Sequence, residues 1–302
     1  MLIADKLPAI LSKDVVGFVT QVGDGVTAFQ VGDRVMSLGS GAVADSSQSG
    51  LQEYALVDVV NCARIPGNIS DEEAVRFFAK HHGSAVANFS LQATFPTNVS
   101  AAFVALFDVL GLPAPWQDGE SRPSSLLIVG GGSNCGKFAV QLAKLAKIQT
   151  IVVVGGEETA LRKLGATHVI DRHLSEDAVV AKVHEAAGND LSYALDAVNM
   201  PDGLGLALRA LSDCRPGKVA RLLPVGEVED IRGHELLDVL GLFLYRMPEC
   251  VAMWERLTGW MAAGAICPTS FSMLEGLDAD SVNAALDGYR DGTNRNKPQI
   301  RL

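Results

Sequence analysis

The residues of this chain with the clearest chemical potential form a glycine run between an apolar stretch and a helical one. It reads Leu126-Leu-Ile-Val-Gly130-Gly131-Gly132-Ser133-Asn134-Cys135-Gly136-Lys137, then Phe-Ala-Val-Gln-Leu-Ala-Lys144. A buried strand running through glycines into an amphipathic helix is the local architecture of a phosphate cradle. Backbone without Cβ atoms lets a pyrophosphate approach, and the helix N-terminus offers free N–H groups and the positive end of its dipole. The strict Gly-x-Gly-x-x-Gly fingerprint is absent. The spacing here is Gly130-x-x-Ser133-x-x-Gly136, a looser variant whose weight comes from its place between strand and helix. Gly130, Gly131, Gly132, Ser133, Asn134, Cys135 and Gly136 are therefore candidate cofactor-binding residues.

About 20 residues on, the next apolar run ends in Val154-Gly155-Gly156-Glu157-Glu158. An acidic residue there would accept a hydrogen bond from the ribose 2′-hydroxyl of NAD, which makes Gly155, Gly156 and Glu157 candidates. Glu157 is equally well placed to favour the start of the following helix through its dipole. Arg162, Lys163 and Arg172 are placed to meet a 2′-phosphate instead, so NADPH and NADH both stay open at this level. Val198, in Leu195-Asp-Ala-Val-Asn199, and Pro224-Val225, in Leu222-Leu-Pro-Val-Gly226, stand at the exits of two further strand-like runs. Ligands of open α/β sheets bind at such exits.

The elements that must position these residues follow from the alternation of runs. Strands are expected at 125–129, 150–154, 168–170, 191–196 and 218–223, with helices at 136–146, 158–164, 177–187 and 203–211 between them. That alternation predicts a parallel sheet with right-handed crossovers. The texture before residue 100 is different. Residues 15–35 alternate short β-branched runs with Gly-Asp turns, and 52–60 and 62–65 read as further strands, an antiparallel pattern. Ser70, with Glu73 three residues on, reads as a helix start, and 101–110 and 241–264 read as helices. A last strand is expected near 297–302.

Composition bounds the function. The 302 residues suffice for one large or two ordinary domains. The net charge of −10 excludes general binding to the phosphate backbone of nucleic acids, which needs a Lys/Arg excess. No apolar run approaches the ~20 residues of a membrane helix. The start, Met1-Leu-Ile-Ala-Asp-Lys, lacks the basic and apolar regions of a signal peptide, so a cytoplasmic protein acting on a small molecule is expected. The five cysteines, 62, 135, 214, 250 and 267, are widely spaced without a Cys-x-x-Cys pair, which argues against a disulfide framework or a structural zinc site.

As an ordered set, these pieces resemble the medium-chain dehydrogenase/reductase superfamily, and in particular its zinc-independent quinone oxidoreductase and fungal trans-enoyl reductase branch. The resemblance rests on Asp14-Val-Val-Gly17, Val22-Gly23, Val31-Gly-Asp-Arg-Val35, Gly50-Leu-Gln-Glu-Tyr54, Ile65-Pro66, Pro96 with Ser100-Ala-Ala102, the glycine loop, and Leu164-Gly-Ala-Thr-His-Val-Ile-Asp-Arg172. It spans nearly the whole chain. It implies an α/β protein: a Rossmann doubly wound parallel sheet over residues 99–267 and a GroES-like, mainly antiparallel β substrate domain over 1–98, completed by 268–302.

The resemblance also implies a nicotinamide cofactor, usually NADPH, with its ring near Ser100, Val198, Pro224 and Val225. The activity implied is reduction of a C=C bond conjugated to a carbonyl, and the family allows a homodimer. Zinc-dependent relatives carry a His-Glu pair where this chain has Lys13-Asp14, and a lysine is a poor metal ligand, so no zinc is expected. Relatives also carry strands before the segment matching Pro8-Ala-Ile-Leu-Ser-Lys-Asp14, a stretch that often supplies a proton donor, so no catalytic residue is assigned. Tyr54 reads as a core aromatic. The rival reading is a catalytically impaired NADPH-binding partner protein with an incomplete substrate domain. A methyltransferase shares the first glycine turn but does not explain the all-β beginning.

Overall fold

A computed structural model describes residues 10, 12–39, 46–69, 95–119, 121–198, 204–222, 233–239, 248–269, 272–276, 278–293 and 298–301. The chain divides into two compact units, Met1–Thr97 with Tyr245–Leu302, and Asn98–Leu244.

The second unit is built on a six-stranded sheet. Its strands are β4 (Ser125–Val129), β5 (Thr150–Val154), β6 (His168–Ile170), β7 (Tyr193–Asp196), β8 (Lys218–Leu222) and β9 (Glu235–Val239). They lie in the order β6-β5-β4-β7-β8-β9, and each adjacent pair is parallel. Renumbered from the first strand, this is 3-2-1-4-5-6, the doubly wound order, and the order reverses on the two sides of β4. Helices α2 (Asn134–Leu145), α3 (Glu158–Leu164), α4 (Glu176–Ala187) and α5 (Leu204–Ala210) provide crossovers. Strands covered on both faces need apolar residues throughout, and Leu126, Leu127, Ile128, Val152, Val153, Ala194 and Leu195 are all fully buried. Leu127, Val152, Val154, Ala194 and Val219 share one cluster with Val179 and Val183 of α4 and with Leu206, Ala207 and Ala210 of α5. Each large side chain in it contributes about 1.5–3 kcal/mol by leaving water.

Helix α1 (Pro96–Phe103) runs directly into a π-helical stretch, Val104–Val109, where the Leu110 N–H reaches back five residues to the Ala105 carbonyl at 3.0 Å. The buried residues Val104 to Phe107 of that stretch pack over β8 and β9. Phe103 stacks on Trp116 with ring centroids 5.7 Å apart, and Arg122 pins the loop that carries Trp116 by donating to the carbonyls of Pro113, Ala114 and Gln117.

In the first unit, β1 (Asp14–Phe18), β2 (Arg34–Leu38) and β3 (Cys62–Arg64) form an antiparallel sheet in the order β1-β2-β3. Helix α6 (Pro248–Ala262) packs on β3, and β10 (Ser272–Glu275) pairs in parallel with β11 (Pro298–Arg301), with α7 (Ala279–Arg290) between them. Asp14 is 3% exposed, and its Oδ1 accepts from both the N–H (2.8 Å) and the hydroxyl (2.6 Å) of Thr97, satisfying an orphan donor at the start of α1.

Several expectations are corrected. Residues 52–60 form no strand. Ala55 and Val57 pack on Val15, but the segment has no strand partner and ends in a 3-10 turn, Val59–Asn61. Tyr54 is not a core aromatic: it is 51% exposed. The helix expected over 241–264 is described over Pro248–Ala262, and the contacts group it with the first unit. The strands β9 and β10 and the helix α7 had no counterpart among the elements expected from the sequence. The helix start at Ser70 lies outside the described residues.

The Asp14 cap is testable. Replacing Asp14 with Ala leaves the first turn of α1 without its acceptor, and hydrogen bonds to charged groups are worth about 2 kcal/mol each. A lowered melting temperature for Asp14→Ala is expected by calorimetry, and an unchanged one would show that the cap contributes nothing.

Candidate functional site: a glycine-lined dinucleotide cradle

The glycine loop leaves β4 and enters α2 at the point where the strand order reverses. Gly130 has φ +88°, a left-handed conformation that side chains rarely adopt. A Cβ there would also run into Val198 Cγ2, so the exit turn of β7 lies against the loop. A Cβ on Gly131 would meet Val153 Cγ1 and, at 2.8 Å, the Gly155 carbonyl. One on Gly136 would strike the Gly130 carbonyl. Gly132 faces Gly156, whose φ is +102° and whose own Cβ would come 2.8 Å from the Gly132 nitrogen. These are steric requirements for a close turn between strand and helix, and they leave backbone rather than side chains at its surface.

Ser133 is the N-cap of α2. Its Oγ accepts from the Gly136 N–H at 3.0 Å and donates to the Gly130 carbonyl at 2.8 Å, which ties the helix start to the strand exit. Cys135, in the first turn, donates its thiol to Asn98 Oδ1 at 2.9 Å and so fixes the loop to α1. The exit of β7 is held in the same way: the Ala197 N–H donates to the Val129 carbonyl, and the Val198 N–H donates to the buried Asp196 carboxylate at 3.0 Å.

The second turn resolves the two readings of Glu157. Both carboxylate oxygens accept backbone N–H groups at the start of α3, from Thr159 at 2.8 Å and from Ala160 at 2.6 Å. Those hydrogen bonds hold its pKa below the ordinary value of 4.5. Glu157 is a helix cap in this structure. The Arg172 side chain lies over Gly155 instead, 3.2 Å from where a Cβ would be, and makes no ion pair among the described residues. Arg162 is engaged by Glu158 and the Thr167 carbonyl.

Ser100 stands on α1 two residues past Asn98. It is 1% exposed, and its hydroxyl has no hydrogen-bond partner. A buried hydroxyl without a partner is costly, and Ser100 shares that state with Ser37 and Thr269. The structure thus joins Gly130, Gly131, Gly132, Ser133, Cys135, Gly136, Gly155, Gly156, Arg172 and Val198 through direct contacts and capping bonds. Asn134 is the first helical residue of α2. Pro224 and Val225 lie outside the described residues. Two participants had no sequence signal: Asn98, 37 residues from its partner Cys135, and Asp196, whose capping role depends on the local turn.

The cradle fits a dinucleotide: glycine backbone lines it and a capped helix N-terminus points at it. Among the described residues no group of three or more His, Cys, Asp or Glu could hold an ion, and burial pushes the Cys62 thiol up to about 12.

Known proteins agree with this geometry. Residues 2–67 match the family model of the alcohol dehydrogenase GroES-like domain, and 135–220 match that of the zinc-binding dehydrogenases. The chain belongs to the medium-chain dehydrogenase/reductase superfamily.

Among its relatives, a zinc-type alcohol dehydrogenase-like protein of Schizosaccharomyces pombe is 28% identical over 284 residues, covering 87% of this chain and 76% of the relative. A dehydrogenase of Emericella nidulans is 33% identical over 230 residues (72% and 62%), and a trans-enoyl reductase of Aspergillus japonicus is 28% identical over 199 (65% and 52%). An alcohol dehydrogenase superfamily protein of Novosphingobium aromaticivorans superposes with a TM-score of 0.73 at 22% identity, over 98% of this chain and 83% of the other. The CurK enoyl reductase does so at 0.65 and 18% (96% and 79%). This medium-chain dehydrogenase/reductase combines the doubly wound sheet with a GroES-like unit, as the family's fold requires.

Two outcomes are expected. Gly136→Val places a branched side chain against the Gly130 carbonyl, and nicotinamide-nucleotide affinity measured by fluorescence titration falls at least about tenfold, about 1.4 kcal/mol. Glu157→Ala lowers the melting temperature at pH 7. Because the folded-state pKa of Glu157 is depressed, its stabilisation is present above the ordinary carboxylate value and is lost as pH falls through the lowered one. The difference between wild type and variant should therefore shrink as the pH falls below the ordinary value of 4.5, and a pH-independent difference would contradict the capping role.

Proposed function

We propose that this protein is a zinc-independent, NADPH-dependent oxidoreductase that reduces the C=C bond of an enone or enoyl-type substrate. The observation that supports the cofactor reading is the second turn: Glu157 spends both oxygens on capping α3, and the Arg172 side chain, which lies over Gly155, would be free to meet the 2′-phosphate that distinguishes NADPH from NADH. The substrate class is supported by relatives named trans-enoyl reductases, among them those of Aspergillus japonicus and Gibberella fujikuroi. Zinc independence is supported by Lys13 at the position of the metal-ligating histidine.

Bound NADPH supplies a hydride to the alkene carbon β to the carbonyl, and the α-carbon then takes a proton. The chain's own residues bind and orient. The α2 N-terminus and the glycine backbone hold the pyrophosphate, the Ser133 and Cys135 bonds keep that turn in one conformation, and Arg172 meets the 2′-phosphate. The buried Ser100 hydroxyl donates a hydrogen bond at the nicotinamide end, where charge moves during the reaction. The five cysteines are free, which suits a reducing cytoplasmic location. A small-molecule substrate and a second copy of the chain are the partners proposed, with no role for nucleic acid or membrane; no helix of the described residues is long and apolar enough to cross one.

An absorbance assay at 340 nm with a conjugated enone tests the reading. Oxidation of NADPH in preference to NADH is expected, and Arg172→Ala should remove most of that preference while leaving NADH turnover unchanged. Nucleotide binding without turnover of any enone would support instead the impaired partner protein.

A further inference from the structure

Lys137 follows Gly136 directly and carries none of the interactions described so far. Its position completes a Gly131-x-x-x-x-Gly136-Lys137 spacing, in which a lysine after a glycine turn reaches bound phosphates. The residue after it departs from the nucleotide-triphosphate version of that spacing. Phe138 is fully buried where a hydroxyl would hold magnesium, so the arrangement suits a diphosphate that needs no metal.

The setting of the side chain agrees. Lys137 is half-buried one turn after the Ser133 cap of α2, and helical side chains as a rule lean back toward the N-terminus, which in α2 is the glycine-loop end. Its ammonium makes no hydrogen bond or ion pair among the described residues. Several other cations of this unit are neutralised: Lys147 by Asp118, Arg162 by Glu158, Arg209 by Glu176 and Asp177, Arg215 by Asp190, Arg221 by Asp238. Burial without a counter-charge disfavours the charged form and lowers the Lys137 pKa from its ordinary 10.5. An arriving anion reverses that penalty.

We propose that Lys137 is a cofactor-binding residue whose ammonium contacts the pyrophosphate linking the two nucleosides, an inference that rests on the dinucleotide reading of the glycine loop. The pyrophosphate is favoured over the 2′-phosphate because Lys137 belongs to the helix that the loop enters, whereas the 2′-phosphate site is formed by the exits of β5 and β6.

The two phosphates predict different results. NADH and NADPH share the pyrophosphate, so Lys137→Met should weaken both by the same factor, about tenfold, equivalent to about 1.4 kcal/mol. Lys137→Arg, which keeps the charge, should restore most of the loss. Affinities would be read by quenching of protein fluorescence, with melting temperatures of the free variants as a control for folding. Loss of NADPH affinity alone would overturn the assignment in favour of the 2′-phosphate. Unchanged affinity for both, or a loss that arginine does not restore, would overturn it outright. A folded wild-type chain that binds neither nucleotide would remove the dinucleotide reading itself, an outcome distinct from any difference between wild type and Lys137→Met.

Discussion

The organisation of the second unit depends on a place with no room for a Cβ. Gly130, Gly131 and Gly136 bring the exit of β4, the start of α2 and the exit of β5 into backbone contact, and Gly156 closes the contact from the other side. Sterics of this kind are unforgiving, since the colliding partners are carbonyl oxygens and packed side chains with nowhere to move. Everything that makes the turn useful follows from its tightness. The α2 N-terminus emerges next to the strand exit, Ser133 spans the gap with one hydroxyl used twice, and polar backbone faces outward. The hydrogen bonds around it maintain a geometry that the glycines permit.

The parallel sheet was legible in the sequence for a physical reason. Strands buried on both faces must be apolar throughout, and runs such as Leu126–Val129 and Ile151–Val154 have that character, with helices of ordinary length between them. What escaped was marginal or long-range. The strand β9 lies at the sheet edge, and its half-exposed pattern Glu-Leu-Leu-Asp-Val gives a weak signal. Residues 52–60 have strand-like residues but no strand partner, and pairing is a tertiary property that β-branching alone does not secure. Tyr54 reads as a core aromatic and yet lies outside, because an aromatic residue type does not by itself show which way its side chain faces.

The candidate site divides along similar lines. Glycines reveal themselves, because positive φ and close approach need that residue and little else does. The roles of polar side chains depend on neighbours that spacing does not reveal. Glu157 satisfied two readings equally until two backbone N–H groups were found on its oxygens. Asp14 and Thr97 are 83 residues apart, and Cys135 and Asn98 are 37 apart, so neither bond leaves a local trace. Yet these two bonds act on one helix: the first caps α1 and the second anchors the glycine loop to it.

That helix has a history written in its hydrogen bonding. A π-helical stretch is an α-helix that has accommodated one more residue than its ladder requires, and it persists when the surroundings compensate for the poorer geometry. The stretch from Val104 to Val109 ends the helix, so the leading α-helical turns carry Asn98 and Ser100 and the π-helical end carries Phe107 over the sheet. Because the extra residue absorbs a change of phase, the two parts need not keep a common rotational register. The wider turn thus lets Phe107 meet the sheet at a phase different from the one that unbroken α-helical geometry would set for it.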